Sequence, residues 1–117
     1  MASSVLVVDD QAAFRAVARQ VLERDGFDVV GEAADGVSAL RAERELRPDV
    51  VLLDVRLPDI DGVEVARRMS VVPSAPSVVL VSTADYAHAV AGCGAAGFLP
   101  KVGLSGPALR AALSGRP

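Results

Sequence analysis

Short apolar runs recur along this chain and alternate with segments whose apolar residues are spaced as in a helix. An uninterrupted apolar run is typical of a strand that is buried on both faces of a sheet. Phe14, Ala18 and Leu22 illustrate the helical spacing, because they recur at every fourth position. The predicted strands span residues 4–8, 27–30, 50–53, 77–81 and 97–99. A strand followed by a helix is therefore predicted five times.

The helices between these runs have recognisable ends. The first is predicted to stop at Gly26, and the second to run from Asp35 to just before Pro48. The third begins near Asp61, a short fourth spans 85–90, and a closing helix spans 105–114. The apolar side chains that shape these helices are Phe14, Val17, Ala18, Val21, Leu22, Val37, Leu40, Leu46, Val63, Ala66 and Met69. The pattern predicts one α/β domain, in which helices cover both faces of a parallel sheet.

Composition excludes several classes of function. Aromatic residues make up 3% of the chain and Trp is absent, which argues against a stacking platform for sugars or single-stranded nucleic acid. A net charge of -3 gives no electrostatic drive towards DNA or RNA. The lone Cys93 cannot form an internal disulfide, and no apolar run approaches the roughly 20 residues that cross a bilayer. We expect a cytoplasmic protein that binds neither nucleic acid nor membrane.

Polar residues follow four of the five predicted strands. Asp9 and Asp10 come after the first, Asp54 after the third, Ser82 after the fourth and Lys101 after the fifth. The carboxyl ends of parallel strands share one edge of the sheet, which is where ligands bind in such folds. We therefore expect these five side chains to form one site.

Three carboxylates at one edge repel each other unless a cation balances them. Oxygen ligands in a compact site suit Mg²⁺. Phosphoryl transfer is the chemistry that such a site serves best, because the metal, Lys101 and the Ser82 hydroxyl can share the charge of the phosphoryl oxygens. A carboxylate can itself accept the group as an aspartyl phosphate.

Three segments carry a resemblance to a known family: VLVVDD at 5–10, PDVVLLDVRLPDIDG at 48–62 and GFLPK at 97–101. In these segments the chain resembles the phosphoacceptor receiver domain of two-component response regulators. The resemblance spans essentially the whole chain and implies a single receiver domain over 1–117. It also implies a flavodoxin-like (βα)5 fold, whose five parallel strands lie in the order 2-1-3-4-5.

The resemblance assigns a role to each matching residue. Asp54 is similar to the phosphorylated nucleophile. Asp10 and Asp54 would ligate Mg²⁺ directly, the backbone carbonyl of Arg56 would be a third ligand, and Asp9 would act through water. Lys101 is similar to the cation that pairs with the phosphoryl group.

Switching is implied for two further residues. Ser82 resembles the hydroxyl that turns towards the phosphoryl group, with Thr83 as the alternative, and Phe98 resembles the aromatic that swings inward with it. The implied donor is a phosphohistidine on a sensor histidine kinase or a phosphotransfer protein, and slow hydrolysis resets the state. The chain would be a signalling switch rather than a turnover enzyme. It would act on a downstream effector domain or protein, and a phosphorylation-dependent dimer is compatible with the family.

The chain also departs from the family pattern. The family often has Pro directly after the Lys, with a cis peptide between them, whereas Val102 follows Lys101 here. The stretch between Ser82 and Lys101 is shorter than usual, which shortens the fourth helix and affects the face through which the family usually dimerises.

Other functions remain as alternatives. One is a degenerate receiver that only docks partners. A Mg²⁺-dependent phosphatase would need a second Asp two residues after the nucleophile, where Arg56 stands. A flavin carrier would need a Ser/Thr-rich loop where Asp9 and Asp10 stand. The sequence leaves open whether the chain is a stand-alone protein or part of a longer regulator.

Several other features have simpler explanations. The GCGAAG segment at 92–97 matches GxGxxG, but it leads from helix to strand and is interpreted as a turn. His88 and Cys93 are interpreted as surface or packing residues. Asp59 and Asp61 are interpreted as structural, with Asp61 starting the third helix.

Overall fold

The computed structural model describes residues 2–114 and shows alternating strands and helices. The strands are β1 (Ser4–Val8), β2 (Asp28–Ala33), β3 (Val50–Asp54), β4 (Ser77–Ser82) and β5 (Gly97–Pro100). The helices are α1 (Ala12–Arg24), α2 (Gly36–Leu46), α3 (Gly62–Ser70), α4 (Val90–Cys93) and α5 (Gly106–Leu113). Single turns of 3-10 helix lie at Ala87–Ala89 and Lys101–Gly103.

All five strands form one parallel sheet in the order β2-β1-β3-β4-β5, which confirms the predicted fold. The register brings the strand ends together: Val8 pairs with Leu53, Asp54 with Val81, and Ser82 with Pro100. The residues at and just beyond these ends therefore lie along one edge of the sheet.

Each inner strand is buried on both faces, so its residues divide between two cores. Leu6 and Leu53 belong to the core under α2, α3 and α4. Val7 and Leu52 belong to the core under α1 and α5. Successive side chains on a strand point to opposite faces, which is why a continuous apolar run is needed here.

Strand β2 differs from its prediction, because it spans Asp28–Ala33 rather than 27–30. It pairs with the whole of β1, from Ser4↔Asp28 to Val8↔Ala33, with an irregularity between Val5 and Leu6. Gly31 and Glu32 interrupt its apolar run, and an edge strand tolerates such residues because one side is unpaired.

Helices α1 and α3 end and begin where the sequence predicts, but not every apolar residue of the helices is buried. Gly26 adopts φ 96° just beyond α1, and Asp61 accepts from Val63 N at the start of α3. Val17, Val37 and Leu46 are exposed, because helical spacing alone does not show how wide the covered stripe is.

The fourth helix is shorter and later than predicted. Residues 85–89 do not form an α-helix: a 3-10 turn at Ala87–Ala89 precedes the four-residue α4, which is followed by Gly94 with φ 80°. The Lys101–Val102 peptide bond is trans, as are all peptide bonds in the described part of the chain.

Candidate functional site

The polar residues predicted to meet do lie along the carboxyl edge of the sheet. Asp9 and Asp10 follow β1, Asp54 ends β3, Ser82 ends β4 and Lys101 follows β5. Carboxylate oxygens of the three aspartates lie within 4.8 Å of one another. The sequence therefore located the acidic cluster correctly.

Asp9 is the deepest of the three aspartates and is fully buried. Its Oδ1 accepts a hydrogen bond from Gln11 N at 2.8 Å, and its own N–H donates to Ala33 O at 3.0 Å. Its Oδ2 lies 2.6 Å from Lys101 Nζ but takes part in no well-directed hydrogen bond within the described residues. Asp10, by contrast, is exposed.

Asp54 is also buried, at the centre of the edge. Its Oδ1 accepts from Arg56 N at 3.2 Å and its Oδ2 lies 3.5 Å from Lys101 Nζ. Burial and the nearby charge of Asp9 raise the pKa of Asp54 above its ordinary value, although Arg56 N–H and Lys101 act in the opposite direction. The carboxylate is thus electrostatically costly in the absence of a further cation.

Lys101 is the cation of the site, with a side chain that is 13% exposed. Burial lowers its pKa, but the close contact with the Asp9 carboxylate and the charges of Asp54 and Asp9 outweigh burial, so the net pKa is raised. Its Nζ lies 4.6 Å from the centroid of the Phe14 ring, which adds a cation–π contact. The sequence pattern predicts Phe14 only as a residue of the first helix, because nothing local links it to Lys101, which lies far along the chain.

Ser82 and Thr83 differ in their surroundings. Ser82 is buried and its Oγ accepts from Ala84 N at 3.1 Å. Thr83 is exposed and lines a cavity of about 420 Å³ together with Phe98 and Pro100. Phe98 is half-buried and packs against the core under α4. Of the two hydroxyls, Ser82 is the one at the end of the strand beside Asp54.

The acidic cluster fits a divalent cation. Its donors are carboxylate oxygens alone, and they converge within 4.8 Å of one another at the carboxyl edge of the sheet. Hard oxygen donors favour Mg²⁺ over softer metals. Arg56 is exposed at the start of the loop after β3, two residues beyond Asp54 and bonded to it through its N–H.

A second cavity, of about 500 Å³, lies away from this cluster. It is lined by Arg44 of α2, by Arg47 just after that helix, and by the loop before β4, including Val72 and Pro76. These residues lie at the amino edge of the sheet, and the cavity contains none of the predicted site residues.

The remaining candidates are structural. The glycine-rich segment at 92–97 is the turn between α4 and β5, as predicted. Cys93 is buried, with its Sγ 3.7 Å from Val90 O. His88 is exposed and stacks on Tyr86 at 6.0 Å between ring centroids.

Comparison with known proteins decides the family. The family model described as response regulator receiver domain matches residues 5–113. The chain belongs to the response regulator receiver domain family. It is therefore a signalling module of that type, and the acidic edge described above corresponds to the part of the receiver fold where ligands are expected.

Relatives of this receiver differ in the rest of their chains. The DNA-binding response regulator MtrA of Mycolicibacterium paratuberculosis is 43% identical over 94 residues, which are 79% of this chain and 40% of MtrA. A protein-glutamate methylesterase/protein-glutamine glutaminase of Myxococcus xanthus is 51% identical over 81 residues, which are 68% of this chain and 23% of that protein. The chain thus spans half or less of the length of the curated relatives it matches.

Solved structures share the fold closely. The signal receiver domain of the response regulator NarL from Mycobacterium tuberculosis superposes with a TM-score of 0.88 at 34% identity, covering 98% of both chains. Within residues 2–114, none of the helices is both long and apolar enough to span a membrane.

Proposed function

We propose that this receiver accepts a phosphoryl group on Asp54 from a phosphohistidine of a sensor histidine kinase or a phosphotransfer protein. The observation that supports this best is the placement of Asp54: it is buried at the sheet edge, within 4.8 Å of Asp9 and Asp10 and 3.5 Å from Lys101. An acceptor carboxylate needs neighbouring cations, because the transferred group carries negative charge into the same place.

In the proposed step, a carboxylate oxygen of Asp54 attacks phosphorus. An O–P bond forms as the N–P bond of the phosphohistidine breaks, and the bond pair leaves with the imidazole nitrogen. Hydrolysis later transfers the phosphoryl group to water and restores the carboxylate. The chain would thus act as its own substrate and not as a turnover enzyme.

We propose that Asp10, Asp54 and the backbone carbonyl of Arg56 hold Mg²⁺ directly, while Asp9 acts through water. The bound ion would supply positive charge to the phosphoryl oxygens. Lys101 would pair with the phosphoryl group from the other side.

Ser82 and Phe98 would carry the signal outward. The Ser82 hydroxyl oxygen accepts from Ala84 N, and no described contact takes up the hydroxyl proton, so the hydroxyl can turn and donate that proton to a phosphoryl oxygen. Phe98 is half-buried next to a cavity of about 420 Å³, which leaves room for the ring to change position. We propose that this movement alters the surface seen by a downstream effector domain or protein, and that it permits a phosphorylation-dependent dimer.

The nature of the output is left open by the family. MtrA is by name a DNA-binding regulator and another relative is a methylesterase, so similar receivers serve different outputs. With a net charge of -3, this domain is not expected to contact nucleic acid itself. We propose a single receiver domain over 1–117 that acts in the cytoplasm.

Two other functions fit the site less well. A degenerate docking module would not need a buried Asp54 beside a paired Lys101. A small-molecule phosphatase would need a carboxylic acid two residues after Asp54 as its general acid, and the exposed Arg56 stands there instead.

Phosphoryl incorporation from acetyl phosphate, measured against MgCl₂ concentration, tests this proposal. Asp10→Ala should remove the dependence on MgCl₂ together with the activity. Asp28→Ala is the matched control, because it removes the same charge from an exposed residue at the opposite end of the sheet. Incorporation that is independent of MgCl₂, or equal loss in both variants, would contradict the proposed site.

A further inference from the structure

The loop between β3 and α3, residues 55–61, is closed at its base. Gly62 N donates to Val55 O at 2.8 Å, which joins the first and last parts of the loop. A Cβ on Gly62 would lie 2.1 Å from Asp54 O, so the chain passes this point in direct contact with the end of β3. The base of the loop is therefore fixed relative to Asp54.

The tip of the same loop is fastened to helix α2 by one side chain. Asp59 Oδ1 accepts from Gly36 N at 2.7 Å, and Asp59 Oδ2 accepts from Val37 N at 3.0 Å. Asp59 Oδ1 also accepts from Ile60 N at 2.8 Å. The bonds from Gly36 N and Val37 N engage two N–H groups in the first turn of α2 that have no partner within the helix. Their acceptor, Asp59, lies more than twenty positions further along the chain.

Helix α2 has a second cap of its own. Asp35 Oδ1 accepts from Ser38 N at 2.7 Å, which is the usual local arrangement at a helix start. The helix therefore does not depend on Asp59 alone for its beginning. The loop also packs closely against the start of α2 where Asp59 caps it, since a Cβ on Gly36 would lie 3.0 Å from Ile60 Cβ.

The fastened loop begins with the residues closest to Asp54. Arg56 N donates to Asp54 Oδ1, and Arg56 also carries the backbone carbonyl that we propose as a cation ligand. Only Leu57 and Pro58 separate Arg56 from Asp59. Pro58 has a fixed φ and restricts Leu57, so little backbone freedom remains between the fastened tip and Arg56.

We propose that Asp59 is a positioning residue for the cation site: by tying the loop tip to α2, it holds the Arg56 carbonyl in place for the metal ion. This inference rests on the proposed function, because it concerns the same cation. The three N–H donors keep the pKa of Asp59 below its ordinary value, so the side chain is an anion at neutral pH. Outer groups that orient metal ligands commonly affect affinity without touching the ion.

The experiment measures the initial rate of phosphorylation by acetyl phosphate as a function of MgCl₂ concentration. Asp59→Ala should raise the MgCl₂ concentration for half-maximal rate by roughly tenfold, while the rate at saturating MgCl₂ is unchanged. Asp35→Ala is the matched control, because it removes a cap from the same helix without touching the loop. It should leave the half-maximal concentration at the wild-type value.

Asp59→Asn provides a second test that does not depend on the fold of the alanine variant. Its single amide oxygen can accept from Gly36 N or Val37 N but cannot replace both carboxylate oxygens, so its half-maximal MgCl₂ concentration should lie between those of wild type and Asp59→Ala. Isothermal titration calorimetry with MgCl₂ should give the same order of dissociation constants: lowest for wild type, intermediate for Asp59→Asn and highest for Asp59→Ala.

Two results would overturn the inference. One is that Asp59→Asn and any folded Asp59→Ala protein keep the wild-type half-maximal concentration, even though thermal melts show lost stability. The other is that Asp35→Ala shifts it as much as Asp59→Ala does. A wild-type protein that is phosphorylated without any dependence on MgCl₂ would instead refute the proposed function, so the two failures are distinguishable.

Discussion

Lys101 Nζ lies 2.6 Å from Asp9 Oδ2, closer than the 3.5 Å that separates it from Asp54 Oδ2. The ammonium therefore mainly compensates the deeper carboxylate, which is fully buried. Asp54 is left with a raised pKa, caused first by its burial and then by the charge of Asp9. Lys101 is therefore placed between the two carboxylates, where it can also pair with the phosphoryl group of the proposed Asp54 phosphate.

Replacing Lys101 by methionine should separate metal binding from the conformational response to phosphorylation. Lys101→Met keeps an apolar contact with the Phe14 ring but leaves the buried Asp9 carboxylate uncompensated, so we expect a loss of about 3–5 kcal/mol of stability without metal. MgCl₂ should stabilise the variant more than it stabilises wild type, yet signalling changes on phosphorylation should be lost. Urea unfolding with and without MgCl₂ measures this, and equal metal-free stability of both proteins would contradict it.

Neutralising Asp54 should stabilise the metal-free protein. The pKa of Asp54 is higher in the folded state than its ordinary value of 3.8 in the unfolded state. Its ionisation therefore lowers the stability fully above the folded pKa and has no effect below pH 3.8. Asp54→Asn should therefore have a higher midpoint of thermal unfolding than wild type at pH 7 in the presence of a chelator. The difference should shrink as the pH falls towards 3.8. A lower midpoint for the variant at pH 7 would show that the Asp54 charge is not a cost.

Glycine is required at Gly62, next to the end of β3, and is dispensable at Gly92 in α4. A Cβ on Gly62 would meet the backbone at 2.1 Å, so Gly62→Ala should cost about 3 kcal/mol. A Cβ on Gly92, within α4, would meet nothing within 4 Å. Gly92→Ala should stabilise by about 0.5–1 kcal/mol through helix propensity. Equal effects in denaturant melts of the two variants would refute the close approach at Gly62.

The ion pairs of Glu32 should make a small part of the stability depend on pH. Arg19 and then Arg15 hydrogen-bond its carboxylate and lower its pKa below the ordinary value of 4.5. A lowered carboxyl pKa gives stability above pH 4.5 that is lost as the pH falls through the folded value. Glu32→Gln should cost about 0.5 kcal/mol at pH 7, since solvent screens the pair.

The control for that prediction is Glu45→Gln. Glu45 is an exposed glutamate that makes no ion pair with any residue in 2–114. Its replacement should leave stability unchanged at both pH values. A Glu32→Gln cost that persists well below pH 4.5 would show that the effect is not due to the charge.

The sequence predicted the inner strands and the acidic edge because both depend on local pattern. A strand such as Val50–Asp54 is buried on both faces, so its residues are apolar up to the point where it leaves the sheet. The polar residue at that point, Asp54, therefore marks the carboxyl edge of the sheet. The prediction for β2 ends too early, because Gly31 and Glu32 interrupt its apolar run. The strand includes these residues because it lies at the edge of the sheet.

Other features depend on contacts between distant segments and gave no local signal. The Lys101–Phe14 contact joins residues that are far apart in the chain, and the Asp59 bonds join a loop to the start of helix α2. Asp59 was predicted to be structural, but its partners could not be identified without the fold. The difference between buried Asp9 and exposed Asp10 is likewise a property of the packed edge.

The most direct test of the account is intact mass after incubation with acetyl phosphate and MgCl₂, comparing wild type with Asp54→Asn. We predict one phosphoryl adduct on wild type, which hydroxylamine removes as expected for an acyl phosphate, and none on Asp54→Asn. An adduct of equal size on Asp54→Asn would contradict the assignment of the acceptor. A folded wild-type protein that binds Mg²⁺ and forms no adduct with either acetyl phosphate or a phosphohistidine donor would contradict the proposed function.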